Sequence, residues 1–212
     1  MWFIIILSII LPFQNLKAVC IDKPVATTPS INYRLPKPLK PFSYDINVTI
    51  LFDTSIEPSV FDGSVEIRFS CEEKTNHIVL NKAYLDIDES SILLIQLLDE
   101  IQIDVINLSY DSIKQLYDLN VSNSLEIGKI YSLSMKYKGY IQTDGLGFYK
   151  SNYYDANRNL KWVVTSQMEA IGARNAFPCF DEPEMKSIFK LTVIHNQNLE
   201  AMSNMPGNLT LL

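Results

Sequence analysis

Val65-Glu66-Ile67-Arg68-Phe69 alternates apolar and charged side chains without a break. On an extended chain successive side chains point to opposite faces. A period of 2 therefore marks a strand with one face in a core and the other in water. The same pattern spreads outward in both directions. Residues 44–52 alternate, with Ile46, Val48 and Ile50 on one face. Residues 78–80, 92–98, 101–106 and 131–140 continue the series, and 162–166 and 189–195 close it. Short polar breaks and β-branched enrichment complete the picture of an all-β protein, an antiparallel β sandwich. Two stretches read less cleanly. Residues 90–98 do not alternate well at Ile92, Leu93, Ile95 and Leu97; we read strand, with helix as the alternative. Residues 111–119 place Ile113, Leu116 and Tyr117 at helical spacing and read as a helical turn in a connection. Eleven Tyr and ten Phe supply core to such a sandwich.

Residues 166–183 break every period. They read Ser166-Gln167-Met168-Glu169-Ala170-Ile171-Gly172-Ala173-Arg174-Asn175-Ala176-Phe177-Pro178-Cys179-Phe180-Asp181-Glu182-Pro183. Two prolines fix the second half, with Phe177, Cys179, Phe180 and two acids between them. A loop this apolar is expected to be packed, with Arg174 paired to Asp181 or Glu182. Gln167 and Glu169 follow the apolar run at Trp162 and stand at or just past a strand end, where sites are often built.

This stretch resembles the signature of the M1 family of zinc aminopeptidases, Thr-Gln-Met-Glu-Ala-Thr-Asp-Ala-Arg-Arg-Ala-Phe-Pro-Cys-Phe-Asp-Glu-Pro. The departures are Ser166, Ile171, Gly172 (for Asp) and Asn175 (for Arg or Lys). Five further motifs, in order, resemble the same family: Tyr33-Arg34-Leu35-Pro36 with Tyr44-Asp45, Phe61-Asp62-Gly63-Ser64-Val65-Glu66-Ile67, His77-Ile78-Val79-Leu80-Asn81, Gly145-Leu146-Gly147-Phe148-Tyr149-Lys150-Ser151, and Ala201-Met202-Ser203-Asn204-Met205-Pro206. The resemblance implies that Gln167 and Glu169 line the pocket for a peptide's first residue, Glu169 helping to hold its free amine. It implies zinc for a full-length relative. It also implies that relatives continue with further strands, so that the sheet of this chain lacks its last ones.

A zinc peptidase of this type needs His-Glu-x-x-His on a helix, two imidazoles on one face and a Glu between them to activate water. Here there are two His, His77 and His195, far apart in sequence and without a Glu at ligand spacing. No metal ligands or catalytic residues are assigned, and the chain alone is expected to be inactive. The expected function is the substrate-anchoring N-terminal domain of a metalloaminopeptidase, the partner being a peptide N-terminus. The alternative is a secreted, non-catalytic binding or regulatory module, acting as a homo- or hetero-oligomer.

The chain has 212 residues, 47% hydrophobic and 20% charged, enough for one domain with a real core. Its net charge is −6 with no basic patch, which argues against nucleic acid as a partner. Residues 1–18 read as a signal peptide, an apolar run broken by Gln14, Asn15 and Lys17 before Ala18. The rival reading is a signal anchor. Either places the protein outside the cell, secreted or on the extracellular face of the plasma membrane. Residues 19–41, with five prolines, read as an extended lead-in, and 42–212 as the β domain. Cys20, Cys71 and Cys179 are too few for a disulfide scaffold, and Cys71 and Cys179 read as buried free thiols. Sequons begin at Asn47, Asn107, Asn120 and Asn208, those at Asn107 and Asn120 lying in polar stretches.

Overall fold

The computed structural model describes residues 32–51 and 59–205. The expected leader, Cys20 and the sequon at Asn208 lie outside them. Within them the chain forms β1 (Leu39–Ile50), β2 (Val60–Cys71), β3 (Thr75–Asn81), β4 (Leu85–Gln96), β5 (Ile101–Ile103), β6 (Val105–Asp111), β7 (Leu116–Leu125), β8 (Ile130–Tyr140), β9 (Gly147–Tyr154), β10 (Leu160–Gln167) and β11 (Ile188–His195). The one helical piece described is a 3-10 turn, Ala173–Asn175.

Alternation decides which side chains meet. Tyr44, Ile46, Val48 and Ile50 of β1 are buried, as are Val65, Ile67 and Phe69 of β2 and Tyr131, Leu133, Met135 and Tyr137 of β8. These strands belong to a six-stranded sheet in the order β11-β1-β2-β8-β4-β5. Ile78 and Leu80 of β3 and Tyr117, Leu119 and Val121 of β7 are buried from a three-stranded sheet, β3-β7-β6. All of them join one apolar cluster, so the fold is an all-β sandwich. Each fully buried aliphatic or Phe side chain contributes roughly 1.5–3 kcal/mol against exposure. β9 and β10 form a separate two-stranded ribbon. Among the described strands, every pairing but one is antiparallel. β11 lies parallel to β1, with Ser43 to Ile50 beside Ile188 to His195.

Three expectations change in detail. Residues 111–119 are not a helical turn. A tight turn occupies only 112–115, where Asp111 Oδ1 accepts the N–H groups of Ile113 and Lys114, both at 3.0 Å. Leu116 and Tyr117 then open β7, the middle strand of its sheet. The run 101–106 is two strands, β5 and β6, in different sheets. The break falls at Asp104, whose carbonyl accepts the Ser122 N–H at 2.8 Å. The lead-in of 19–41 is not all unpaired chain, because β1 begins at Leu39 and both Leu35 and Leu39 sit in the core. Residues 90–98 are strand up to Gln96, and a register shift between Asp88 and Leu93 explains their broken alternation.

Candidate functional site

β10 ends at Gln167, directly opposite Gly147 at the start of β9. From there the chain turns back through residues 168–182 and lies against the sandwich. The turn is closed by two N–H groups, those of Gly172 and Ala173, donating to the Met168 carbonyl at 2.9 and 3.2 Å. Two glycines make this close folding sterically possible. A Cβ on Gly172 would lie 2.2 Å from the Gln167 carbonyl oxygen. Gly147 has φ +63°, and a Cβ there would meet Asn175 Cβ at 2.6 Å. Gly172, one of the departures from the M1 signature, is therefore built into the geometry.

The second half of the segment is fixed to the sandwich at four points. Asn81 and Cys179 exchange backbone hydrogen bonds, Asn81 N–H to Cys179 O at 2.7 Å and Cys179 N–H to Asn81 O at 3.1 Å. The Asn81 side-chain oxygen accepts the Asp181 N–H at 3.2 Å. The Tyr44 hydroxyl accepts the Phe180 N–H at 3.1 Å. Glu182 accepts the Leu35 N–H at 3.0 Å and pairs with Arg34, tying the segment to the lead-in. The expected partner of Arg174 is Asp181, at 2.9 Å, with both side chains almost buried. Arg174 also donates to the Gln115 side chain at 3.2 Å. Ala176, Phe177, Cys179 and Phe180 are buried. Burial pushes the Cys179 thiol well above its ordinary pKa, and Cys71 is raised for the same reason. Both are free thiols.

Gln167 and Glu169 stand at the open end of this packed base, both exposed. The Gln167 side-chain amide donates to the Glu169 carbonyl at 3.1 Å, which holds the two residues in a fixed relation. The Glu169–Ala170 peptide is cis. The Glu169 carboxylate has no hydrogen-bond or ion-pair partner among the described residues. An unpaired carboxylate on a rigid support is suited to a cationic ligand group.

Of the residues singled out from the sequence, Gln167 and Glu169 come together and His77 and His195 do not join them. His77 Nδ1 lies 3.0 Å from each Asp118 oxygen, on the outer face of the small sheet. His195 Nδ1 lies 2.9 Å from the Asn196 carbonyl. Among the described residues no three of His, Cys, Asp and Glu are grouped to hold a metal ion. Zinc has no seat on these residues. Asn47 and Asn107 are exposed on β1 and β6, whereas Asn120 is half-buried on β7 and accepts a hydrogen bond from the Asn76 amide at 3.1 Å. Sequence reading did not find the roles of Tyr44 and Asn81. The one signal for Asn81 in the sequence is a polar residue closing the apolar run 78–80, which the structure buries.

The Peptidase M1 N-terminal domain family model matches residues 40–210. Aminopeptidase N of Bos taurus is 35% identical over 178 residues, covering 82% of this chain and 18% of that protein. Aminopeptidase N of Rattus norvegicus is 35% identical over 177 residues, with the same coverage. Aminopeptidase 2 of Candida albicans is 32% identical over 173 residues, 80% of this chain and 17% of that protein. The chain thus spans less than a fifth of the length of these relatives. With the packed 166–183 segment and the family match extending over most of its length, the chain belongs to the M1 peptidase family, as its N-terminal domain.

Proposed function

We infer that this domain anchors the N-terminus of a peptide for an M1 metalloaminopeptidase whose zinc-binding part is not in this chain. The carrying observation is the exposed Glu169 carboxylate, without a partner among the described residues, on a residue whose backbone carbonyl accepts the Gln167 amide and which leads into the buried segment 176–180. A carboxylate attracts a protonated α-amine and gives a charge-assisted hydrogen bond, so a free N-terminus is preferred over a blocked one. Gln167 adds neutral hydrogen bonding and shape around the first side chain. Zinc, supplied elsewhere, would polarise the peptide carbonyl and its attacking water. Among the described residues no three of His, Cys, Asp and Glu are grouped to hold a metal ion, and the chain alone is expected not to cleave peptides. The sequence leader and the sequons fit a secreted or cell-surface setting.

The test is a graft. Residues 40–210 replace the matched segment of the bovine enzyme, and the chimera is assayed on an aminoacyl chromogen. Glu169→Gln is expected to lower kcat/KM by about 10- to 100-fold, the worth of one charged hydrogen bond, with zinc content unchanged. An unchanged kcat/KM, or loss of zinc, overturns the assignment. The 212-residue protein alone should show no turnover.

A further inference from the structure

Glu182 closes the packed segment at its far end in sequence from Glu169. Its side chain is only 8% exposed, a burial that a carboxylate tolerates only with partners. Each of its oxygens has one. Oε1 accepts the Leu35 N–H at 3.0 Å, and Oε2 pairs with the Arg34 guanidinium. These partners stand on a stretch of lead-in that is itself held. The Leu35 side chain is buried in the core. The Pro38 carbonyl accepts the N–H groups of Glu72 and Glu73 at 2.7 and 3.2 Å, just past the end of β2. Pro36 and Pro38 fix their own φ angles and stiffen the chain between Leu35 and β1. A second ion pair, Lys37 to Glu184 at 2.7 Å, lies beside the first, but both its side chains are more than half exposed. An exposed pair of that kind contributes little, so the buried Glu182 carboxylate is the main fastening.

A continuous run of contacts leads from Glu182 to Glu169. Asp181, next to it in the chain, pairs with Arg174 at 2.9 Å. Arg174 lies in the 3-10 turn that begins at Ala173. The N–H groups of Gly172 and Ala173 donate to the carbonyl of Met168, the residue before Glu169. Gln167 and Glu169 are themselves exposed, so the segment beneath them sets where they stand. We propose, resting on the amine-anchoring role of Glu169, that Glu182 is a positioning residue: it clamps the segment to the lead-in and so keeps the Glu169 carboxylate in place. Glu182 acts through this run of contacts and touches no substrate. A clamp and a plain stabilising contact differ in where their loss is felt. Losing a clamp loosens the segment while the sheets stay closed, whereas losing global stability raises the opening of every protected amide alike.

The experiment is native-state amide hydrogen exchange on the full 212-residue chain, which needs neither zinc nor peptide. Glu182→Ala should speed exchange at Gly172 and Ala173 by about 10- to 100-fold, the worth of one charged hydrogen bond, while the paired amides of β2 and β8 keep their rates. Glu182→Gln keeps an acceptor for the Leu35 N–H and should show a smaller change at the same two amides. Unchanged exchange at Gly172 and Ala173 overturns the proposal. Equal acceleration in β2 and β8 overturns it too, because Glu182 then only stabilises. A second arm uses the chimera with the graft lengthened to residues 33–210. There Glu182→Ala should lower kcat/KM about tenfold in the parent and add nothing in the Glu169→Gln background, since both act through one carboxylate. A full further loss in that background overturns the positioning role. If Glu169→Gln alone leaves kcat/KM unchanged, the anchor reading falls, and the exchange rates still decide whether Glu182 holds the segment.

Discussion

At the scale of single residues, Gly172 and Arg174 separate support from contact. The M1 signature has Asp where this chain has Gly172, so Gly172→Asp looks like a repair. The geometry says otherwise, since a Cβ would fall 2.2 Å from the Gln167 carbonyl oxygen. We expect the substitution to destabilise by about 1–3 kcal/mol and to displace Gln167. Chemical denaturation checks the first point, and a variant as stable as the parent would contradict it. Arg174→Ala leaves Asp181 almost buried and without its cation. The expected loss is about 3 kcal/mol, a fall in Tm of roughly 6–12 °C for a domain of this size. In the chimera described above, an unchanged Tm with abolished turnover would mean that Arg174 touches substrate. Glu169 and Gln167 were legible because an alignment-like resemblance marked them. Their isolation from other side chains was not, because exposure is a property of the folded base beneath them.

At the scale of elements, β7 shows what periodicity misses. Tyr117, Leu119 and Val121 alternate plainly and are buried, but the preceding turn set Ile113 at helical spacing from them and masked the start of the strand. Asp111 capping that turn is the cause, and Asp followed two and three residues later by the N–H groups it accepts is visible only in three dimensions. β2 and β8, flanked on both sides and buried on one face, show the alternation most clearly, while β3, β10 and β11, shorter and each with one strand neighbour, were legible too. The parallel placement of β11 against β1 was not legible at all, because the period of 2 carries no direction. β7 also allows a paired test. Leu119→Ala opens a cavity at a fully buried position and should cost about 2–5 kcal/mol. Tyr117→Phe removes a buried hydroxyl that lacks a hydrogen-bond partner, so it should be neutral or stabilising by up to about 1 kcal/mol. Urea midpoints of the two variants decide it; a marked loss in Tyr117→Phe would show that the hydroxyl is bonded.

At the scale of the whole molecule, buried phenols set an alkaline limit, three of them, Tyr44, Tyr117 and Tyr137, most strongly and Tyr131 in the same direction. Burial pushes Tyr117 up to about 12 and raises Tyr44 and Tyr137 well above the ordinary range. A raised folded pKa means the neutral ring is favoured in the fold. Its stabilising effect is intact below the unfolded pKa of about 10 and is lost as pH climbs toward the folded value. Between roughly pH 10 and 12 the unfolded chain ionises while the folded chain does not. Stability should then fall by about 1.4 kcal/mol per pH unit for each such tyrosine. Urea melts from pH 8 to 11.5 measure this; a midpoint that holds constant to pH 11.5 would refute it.

The parallel pairing of β1 with β11 also has a temporal side. β1 leaves the ribosome before β2, yet the neighbour on its other edge, β11, follows roughly 140 residues later. At a synthesis rate of about 5–20 residues per second that is a wait of roughly 7–28 s. For that interval Tyr44, Ile46 and Val48 border an open edge beside the emerging hairpins of β2 to β10. The order of translation thus leaves one flank of the core unprotected until β11 arrives, which makes this nascent chain a natural client for a chaperone that shields bare β edges.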